Sequence, residues 1–443
     1  MKSFFQVAAL LAATFLILPR ANAQSSTRSA KTWRVFPVSS LQKLTAKTPG
    51  VLQPFSSQPV ELQAARGEWE SFQVVVSASD KPLRFSVAAT SFATQLGRFI
   101  ARDNVQIFRE NYVQVTHPSG NRVLDSRWWP DALIPLNDKA VFEVAANRSV
   151  VLWVAVRVPR DAEAGQYFAA LDVVPQITEG AKTSKLDATP REVPLALNVS
   201  PAVLPSPTMR ANVAVYYDSL RDWYGKNVSS LNDEQFVQLK KNYYGFLLDY
   251  GLNAYDLPVA WNSAEAANYL RDARVRSVRL PPQDSPEFDV ALQQLKSTDA
   301  LAKAYAYRID EPSPEQYAAV RTATTRLHEA NAQLKHCVTV APNETLRGAV
   351  DIWCPNIGDF FGLGHLDMEA LKRERQSGRE TWWYTMVEPK SPYPTWLLDD
   401  DASAVRVYGW IMARHDISGF VYSMAHGWGP KPLENLESFE GTN

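Results

Sequence analysis

The pattern of hydrophobic and polar positions changes near residue 200. Between residues 33 and 203, stretches such as "SFQVVVSA", "AVFEVAANRSVVLWVAVRVP" and "EVPLALNVSP" alternate apolar and polar residues and are rich in Val, Phe and Tyr. Alternation with a period of two is typical of strands that have one buried face. Turn-forming stretches such as "SASDKP" separate these strands. The pattern therefore predicts an N-terminal all-β sandwich domain over residues 33–203.

A second pattern follows the proline-rich segment "SPAVLPSPTMR" (residues 200–210), which we interpret as a linker or domain edge. Helical segments such as "NDEQFVQLKKNYYGFLLDYG" alternate with short apolar runs such as "ANVAVYYD", "AYAYRID" and "SGFVYSMAHG". Eight strand candidates can be counted, with helices between them, and this alternation predicts a (β/α)8 barrel over residues 204–443. Only 19 residues follow Met424, which ends the eighth strand. We expect the last barrel helix to be short, or the chain to be incomplete.

The first 23 residues have the pattern of a signal peptide. Lys2 precedes the apolar run "FFQVAALLAATFLILP", and "ANA" forms a small-x-small cleavage site before Gln24. The apolar run is shorter than the roughly 20 residues that a spanning helix needs. We therefore expect an exported protein, periplasmic or extracellular, that is cleaved near Ala23 and has no membrane span.

Composition narrows the class of ligand. The 46 basic and 47 acidic residues give a formal net charge of −1, so no charge field indicates nucleic acid or an acidic membrane. Aromatic residues make up 11% of the chain and include 13 Trp, which suits a neutral, ring-shaped ligand such as a glycan, although rings also fill cores. No HExxH pattern and no GxSxG elbow occur, so the sequence predicts neither a metal nor a cofactor.

The candidate catalytic groups are two neighbouring carboxylates, Asp310 and Glu311, at the end of the predicted strand "AYAYRI". Barrel enzymes carry their chemistry at this end of the strands. The alternative is that one of the two caps the following helix and complements its dipole. If both are to reach one place, the regular strand geometry must break at Ile309 or Asp310, because successive strand residues point to opposite faces.

Neighbouring carboxylates are a poor arrangement for a conventional glycosidase, whose two carboxyl groups flank the scissile bond from different strands. They suit a substrate-assisted route, in which the 2-acetamido oxygen of the sugar is the nucleophile. One carboxylate then orients the acetamido group, and the other, protonated, donates to the leaving oxygen.

The motif "YRIDEP" resembles the Asp-Glu motif of glycoside hydrolase family 123, the exo-acting β-N-acetylgalactosaminidases. "ARGEWESFQVVV" and "WWPDALIPL" resemble the N-terminal β-sandwich of that family, and "ETWWYTMVEP" with "RVYGWIMARHDISGFVY" resembles its strand 7 to strand 8 region. The similarity covers nearly the whole mature chain. It implies that Asp310 orients the acetamido group and Glu311 is the general acid/base. It also implies a retaining, metal-free hydrolysis of β-linked 2-acetamido sugars, most often GalNAc.

Seven further residues are candidates for contact with a glycan substrate. They follow predicted barrel strands, and the alternative for each ring is packing in a core; they are Trp383, Tyr384, Tyr422, Trp428, Asn212, Tyr216 and Trp261. Arg308 precedes the carboxylates by two residues, and we expect it to brace the barrel rather than to pair with them.

Three questions stay open from the sequence. Cys337 and Cys354 each lie near a predicted strand, so they form a disulfide if those strands are neighbours, or remain two buried thiols. An enzyme of the same architecture acting on another glycan is a second hypothesis. A non-catalytic sugar-binding or surface protein is a third, and it rests on Ser423, where relatives usually carry Trp, and on the short stretch after the eighth strand. The oligomeric state is not predicted.

Overall fold

A computed structural model describes residues 32–116, 118–119, 127–137, 140–176 and 188–433. The predicted signal peptide (residues 1–23) and most of the predicted last helix, "PLENLESFE", lie outside the described residues. Among the helices of the described ranges, none has the length and hydropathy needed to cross a bilayer.

The N-terminal domain is built from strands. Those of the described residues are β1 (Trp33–Ser39), β2 (Ala46–Thr48), β3 (Val51–Leu52), β4 (Val60–Arg66), β5 (Trp69–Ala78), β6 (Leu83–Ala89), β7 (Phe92–Ala93), β8 (Phe99–Ile100), β9 (Val105–Val115), β10 (Arg127–Pro135), β11 (Val141–Val144), β12 (Ser149–Arg157), β13 (Gly165–Pro175) and β14 (Arg191–Val203). The last strand continues four residues, 200–203, into the segment predicted as the linker.

These strands form two sheets that share one core. The first has the order β1-β5-β12-β9-β10-β2-β3, and the second has the order β11-β6-β13-β14-β4 with β7 and β8 beside β13. Strand β14 runs parallel to β4. Phe72 and Val74 of the first sheet pack with Leu83 and Phe85 of the second, because alternate residues of each strand point to the same side. The domain is therefore β-rich and two-layered.

One acidic side chain is buried inside this domain. Glu110 of β9 is 5% exposed, and burial raises its pKa from the ordinary 4.5 to about 8, against a smaller lowering by the hydrogen bond from the Tyr112 hydroxyl. The folded protein therefore keeps a proton on Glu110 over a range of pH in which the unfolded chain releases it.

We expect the stability of the protein to fall as the pH rises from 4.5 to 8, and Glu110→Gln to weaken this fall. Between these values the unfolded state binds fewer protons, so the free energy of unfolding decreases by up to about 1.4 kcal/mol per pH unit for this one group. Below pH 4.5 the variant and the wild type should agree, and above pH 8 the variant should be more stable. Denaturant unfolding across this range measures the difference, with the exposed Glu61→Gln as the matched control. Parallel profiles for wild type and Glu110→Gln would contradict the assignment.

The second domain is built around a parallel sheet of eight strands. They are β15 (Arg210–Val213), β16 (Asn253–Ala254), β17 (Val278–Arg279), β18 (Ala304–Ala306), β19 (Lys335–Val338), β20 (Ile352–Trp353), β21 (Glu380–Tyr384) and β22 (Gly419–Tyr422). The order β16-β15-β22-β21-β20-β19-β18-β17 places neighbours in the sequence side by side. The amide of Arg279 donates to the carbonyl of Tyr255 at 2.7 Å, so the two ends of the sheet also meet. The sheet is a nearly closed barrel, consistent with the TIM type.

The helical layer is sparser than the predicted (β/α)8 repeat. The α-helices of the described residues are α1 (Tyr217–Asn227), α2 (Asp233–Asp249), α3 (Ala264–Arg271), α4 (Glu287–Ser297), α5 (Tyr317–Ala330), α6 (Met368–Gln376) and α7 (Ala402–Arg414). Between β19 and β20 the chain forms only a short 3-10 helix, Glu344–Leu346. That connection contains Pro342 and Gly348, which disfavour a longer helix.

The N-terminal ends of the barrel strands are joined by an ion network. The guanidinium of Arg210 lies 2.8 Å from the carboxylate of Glu380, which also accepts hydrogen bonds from Lys335 and from the Trp382 indole. Burial alone would raise the pKa of Glu380, but the charges of Arg210 and Lys335 outweigh burial and lower it. This end of the barrel is braced, which leaves the opposite end for chemistry.

The two domains contact each other beside the barrel wall. The rings of Trp69 and Tyr250 stack with centroids 6.3 Å apart, and Arg406 of α7 lies 3.2 Å from Glu70 of β5. Residues 204–209 connect β14 to β15. The N-terminal domain therefore packs on the barrel through a ring contact and an ion pair, in addition to the covalent linker.

Candidate active site

Aromatic side chains fill the barrel interior beneath the C-terminal ends of its strands. The rings of Tyr305 and Trp382 meet edge to face with centroids 5.1 Å apart, and both side chains are buried. Tyr307 and Tyr384 pack on the same cluster and are only partly buried. They form the floor of the barrel mouth.

The two cysteines lie in this interior cluster. Cys337 and Cys354 are both fully buried, and both are free thiols. Burial, followed by the hydrogen bond and charge of Cys337, raises the pKa of Cys354. Of the two alternatives that the sequence left open, the structure contains the pair of buried thiols.

The backbone changes direction at the two carboxylates. Strand β18 ends at Ala306, and Glu311 has φ of +42°, a left-handed conformation that is uncommon for residues other than glycine. The break in strand geometry therefore begins before Ile309, and its sharpest turn is at Glu311 rather than at Ile309 or Asp310. This conformation allows the side chains of two sequence neighbours, Asp310 and Glu311, to lie at the same end of the barrel.

Neither carboxylate caps the following helix. A 3-10 helix, Pro314–Gln316, precedes α5, and its N-cap residue is Ser313, whose amide donates to Gln316 Oε1 at 2.9 Å. The predicted helix therefore begins after Pro312, and the capping alternative for Asp310 and Glu311 is wrong.

Two hydroxyl groups hold Asp310. The Tyr307 hydroxyl donates to Asp310 Oδ1 at 2.6 Å, and the Thr339 hydroxyl donates to the same oxygen at 2.8 Å. Both donors reach Oδ1, and in the described part of the chain no side chain donates to Oδ2. The side chain is exposed, so Oδ2 is available to a donor on a ligand.

Glu311 is held from two other directions. Its amide donates to Thr339 Oγ1 at 2.6 Å, and its carboxylate accepts a hydrogen bond from the Tyr384 hydroxyl. Thr339 is 4% exposed and thus links the two neighbours from below. The arrangement places both carboxylates on the floor formed by Tyr307 and Tyr384.

The two tyrosines are donors that do not ionise in the physiological range. Burial raises the pKa of Tyr307, and its hydrogen bond to Asp310 raises it further. Burial and the hydrogen bond to Glu311 likewise raise the pKa of Tyr384. Each carboxylate therefore has a permanent neutral donor, so its position does not depend on a nearby charge.

Thr339→Val should lower turnover by up to about 10²-fold while the fold is kept. Valine has a similar volume but removes the hydrogen bond to Asp310 and the acceptor for the Glu311 amide, and small misplacements of reacting groups cost factors of this size. Stability should fall by about 1 kcal/mol because the part-buried amide of Glu311 loses its acceptor. Steady-state kinetics should place the loss in kcat rather than KM, and Thr339→Ser should restore it. Equal activity of Thr339→Val and of the surface variant Thr322→Val would contradict this positioning role.

Two of the predicted substrate contacts are corrected by the structure. Trp383 is fully buried outside the barrel interior, with its ring 5.5 Å from Phe360 and 5.1 Å from Tyr408. Strand alternation explains this, since Tyr384 points to the mouth and its neighbour must point to the helical layer. Asn212 is also fully buried and bonds to the carbonyl of Phe420 and to the hydroxyl of Ser277, so it is a structural residue.

Two tyrosine candidates lie near the strand ends with different neighbours. Tyr216 is 38% exposed, and its hydroxyl is 2.9 Å from Ser423 Oγ. Tyr422 packs on Trp396 with centroids 4.6 Å apart and belongs to the outer layer that contains Trp383. In the described ranges, no hydrogen bond or ring contact links these tyrosines to the carboxylates.

Trp428 and Trp261 both pack in the hydrophobic cluster that contains residues of α1 and α2. Trp428 meets Trp223 edge to face at 5.3 Å and packs against the cluster of α1 and α2. Trp261 is 7% exposed and lines a cavity of about 370 Å³ together with Arg279 and Arg308. Arg308 donates to the carbonyl of Leu280, which agrees with the expected bracing role.

Sequence reasoning missed Tyr307 and Thr339. Strand parity is the signal that could have found them, because Tyr307 shares the inward face of Tyr305, and Thr339 shares that of Cys337. The parity was readable, but the hydrogen bonds depend on the register between two strands. Within the described ranges, no group of three or more His, Cys, Asp or Glu side chains is arranged to hold a metal ion.

Comparison with known proteins identifies two domains. Residues 45–175 match the glycoside hydrolase 123 N-terminal domain, and residues 234–439 match the glycoside hydrolase 123 catalytic domain. No curated protein matches the chain.

Comparison of structures agrees with this division. A family 123 glycoside hydrolase from Clostridium perfringens, whose structure was analysed for the details of glycolipid glycan hydrolysis, is 14% identical with a TM-score of 0.65. That match covers 92% of this chain and 81% of the other. The Salmonella SafD adhesin matches with a TM-score of 0.20 at 11% identity, over 38% of this chain and 99% of the adhesin, and we draw nothing from that likeness.

Proposed function

This chain belongs to glycoside hydrolase family 123, and on that premise we propose that it removes terminal β-linked 2-acetamido sugars from glycans, β-GalNAc first among them. The observation that carries the proposal is the pair Asp310 and Glu311. Both lie at the barrel mouth, and each is held by a tyrosine hydroxyl. Sequence neighbours cannot flank a sugar from both faces, so the nucleophile is best supplied by the substrate itself.

In the first step, the carbonyl oxygen of the 2-acetamido group attacks the anomeric carbon. Glu311, protonated, donates its proton to the glycosidic oxygen, and the C1–O bond breaks to release the alcohol. Asp310 Oδ2 accepts a hydrogen bond from the acetamido N–H and stabilises the positive charge that develops on the resulting oxazolinium ring. Tyr307 and Thr339 hold Oδ1 during this step.

In the second step, a water molecule attacks the anomeric carbon from the side that the alcohol left. Glu311, now ionised, takes a proton from this water, the ring opens, and the acetamido group is restored. Two inversions give a product with the original anomeric configuration. The protons balance, since Glu311 gives one to the alcohol and recovers one from water.

Two further elements belong to the proposal. The family member from Clostridium perfringens is associated with glycolipid glycans, so a glycolipid headgroup is one class of substrate for this chain. The second element is export from the cytoplasm, which we propose from the signal-peptide pattern of residues 1–23 alone. The N-terminal sequence of the protein recovered outside the cytoplasm tests it, with Gln24 as the expected first residue.

A chromogenic panel tests the proposed activity. We expect turnover of aryl β-GalNAc and, to a smaller extent, aryl β-GlcNAc, and none of aryl β-Glc or aryl β-Gal, because the latter two lack the internal nucleophile. Proton NMR of the first-formed sugar should detect the β-anomer. Comparable rates on aryl β-Gal would refute the substrate-assisted route, and an α-anomer would refute retention.

A further inference from the structure

A charged cavity lies at the C-terminal ends of β16, β17 and β18, and Arg308 in its wall precedes Asp310 by two residues. Its walls come from α2, the end of β17, the start of α4 and the loops that follow β16, β17 and β18, and its volume is about 370 Å³. Tyr255 connects the two places, because its ring lies 6.0 Å from Tyr307, the donor to Asp310, and 5.2 Å from the guanidinium of Arg279 in the cavity wall. The ring of Tyr255 therefore lies between Arg279 in the cavity wall and Tyr307, which donates to Asp310.

Three cations line this cavity, and only one of them is neutralised by contact. Arg279 makes a two-point pair with Asp256, with N–O distances of 2.9 and 2.5 Å. Arg308 makes its one hydrogen bond in the described chain to the carbonyl of Leu280, and no carboxylate of the described residues lies within 4.0 Å of it. Lys240 lies over the rings of Tyr217 and Phe236 and likewise has no carboxylate within that distance in the described ranges.

The acidic groups near Lys240 and Arg308 act on them without contact: Asp218 and Glu287 act on Lys240, and Asp256 and Asp284 act on Arg308. Glu287 also lines the cavity, but it forms no ion pair with Lys240 or Arg308 in the described structure. Asp256 and Asp284 act on Arg308 only from beyond contact distance, and Arg279 opposes them. Desolvation lowers the pKa of both Arg308 and Lys240, although the Arg308 side chain remains exposed to solvent. An anion that contacts both side chains would supply the partner that each cation lacks.

The chemistry of the side chains narrows the anion. Arg308 uses one terminal nitrogen on Leu280, which leaves guanidinium N–H groups for a second acceptor, and a guanidinium fork matches the oxygens of a tetrahedral oxyanion. Lys240 supplies a second, flexible donor. Trp261 provides an apolar wall for the carbon skeleton that carries the anion.

The position of Glu311 indicates which part of a substrate reaches the cavity. Glu311 bonds to Tyr384 of β21, whereas the cavity lies beyond Tyr307 on the side of β16 and β17. In the proposed mechanism the leaving group departs over Glu311. The cavity therefore faces the far side of the terminal sugar and not the leaving group.

We propose that this cavity binds a sulfate or phosphate ester on the terminal 2-acetamido sugar, with Arg308 and Lys240 as its ligands. The proposal rests on the proposed function for the identity of the sugar, and it makes the enzyme selective for esterified termini. A cavity that holds only neutral hydroxyl groups is the competing outcome.

Hydrolysis provides the first test. Aryl β-GalNAc is compared with its 6-sulfate, 4-sulfate and 6-phosphate esters as substrates of the full-length wild type, Arg308→Gln and Lys240→Gln. We expect at least one ester to have a kcat/KM about ten-fold above that of the parent in the wild type, and this ratio to fall to near one in both variants. The sulfate and phosphate arms distinguish the two sources of the anion. Arg271→Gln, an exposed arginine on α3, is the matched control and should keep the wild-type ratio.

Binding provides a test that does not depend on turnover. Calorimetric titration with free GalNAc and with its three esters should give an ester preference of about ten-fold in Kd, lost in Arg308→Gln and reduced at 0.5 M salt, beyond ordinary ionic strength. If no acetamido glycoside is hydrolysed but this preference holds, the proposed function fails and the anion site stands. Equal Kd values for GalNAc and every ester would overturn the anion site, whatever the hydrolysis results. Lys240→Gln keeps the test valid if Arg308→Gln does not fold.

Discussion

Glu311→Gln is expected to lower kcat on aryl β-GalNAc by about 10²- to 10⁴-fold, the usual contribution of a general acid/base. Glutamine keeps the size of the side chain and can still accept the hydrogen bond from Tyr384, but it has no proton to give to the glycosidic oxygen. The loss should be largest for alkyl glycosides, whose poor leaving groups need protonation. It should be smaller for nitrophenyl glycosides, which leave as stable anions.

A series of leaving groups measures this effect. The slope of log kcat/KM against leaving-group pKa should be shallow in the wild type and steep in Glu311→Gln. Glu329→Gln is the matched control, because it makes the same change on the exposed surface of α5. Identical slopes for Glu311→Gln and wild type would show that Glu311 is not the proton donor, whatever the absolute rates. Circular dichroism establishes that each variant is folded.

Asp310→Asn is expected to lower kcat/KM on acetamido substrates by about 10²- to 10³-fold. The Tyr307 and Thr339 hydroxyls would hold the amide oxygen in the place of Oδ1, which turns the NH2 group toward the acetamido N–H of the substrate. A donor would then face a donor, and the developing charge on the oxazolinium ring would lose its carboxylate. The side chain is exposed, so we expect little change in stability.

Fluorination of the acetamido group provides the measurement. In the wild type, kcat should fall steeply from acetyl to mono-, di- and trifluoroacetyl, because each fluorine weakens the internal nucleophile. Asp310→Asn should be slow on every member of the series. Asp289→Asn on the surface of α4 is the matched control. Near-wild-type turnover by Asp310→Asn, or a flat fluorine series in the wild type, would eliminate internal nucleophilic assistance.

The architecture was largely readable from periodicity. Alternation in stretches such as "SFQVVVSA" predicted strands with one buried face, but β5 is buried on both faces along residues 72–76. Phe72, Val74 and Val76 pack in the core between the sheets, and Val75 packs in a second cluster on the other face. The alternation of short apolar runs with helices after residue 210 likewise predicted the order of the barrel strands. The helical layer was predicted less well, since the connection between β19 and β20 lacks an α-helix. Pro342 and Gly348 disfavour a helix in that connection, and counting strand–helix repeats does not take such residues into account.

The candidate site was readable in part. The chemistry of adjacent carboxylates indicated Asp310 and Glu311, and the end of a strand indicated Tyr384. The same reasoning placed Trp383 in the pocket, although it and Tyr384 must face opposite sides of β21. Asn212 was a candidate because it lies on the first barrel strand, yet its buried side chain hydrogen-bonds to the Phe420 carbonyl and the Ser277 hydroxyl. Residue type and position along a strand do not reveal the face on which a side chain lies.

By itself, the sequence determined the two-domain plan, the parallel barrel and the pair of carboxylates, because these follow from periodicity and from the chemistry of single residues. The tertiary structure alone decided how that pair is presented. The left-handed turn at Glu311, the tyrosine donors that follow β18 and end β21, and the Thr339 hydroxyl after β19 all depend on the register of these three strands. Register is set by packing between residues far apart in the chain. The motif "YRIDEP" therefore predicts the catalytic groups but not how their side chains are placed.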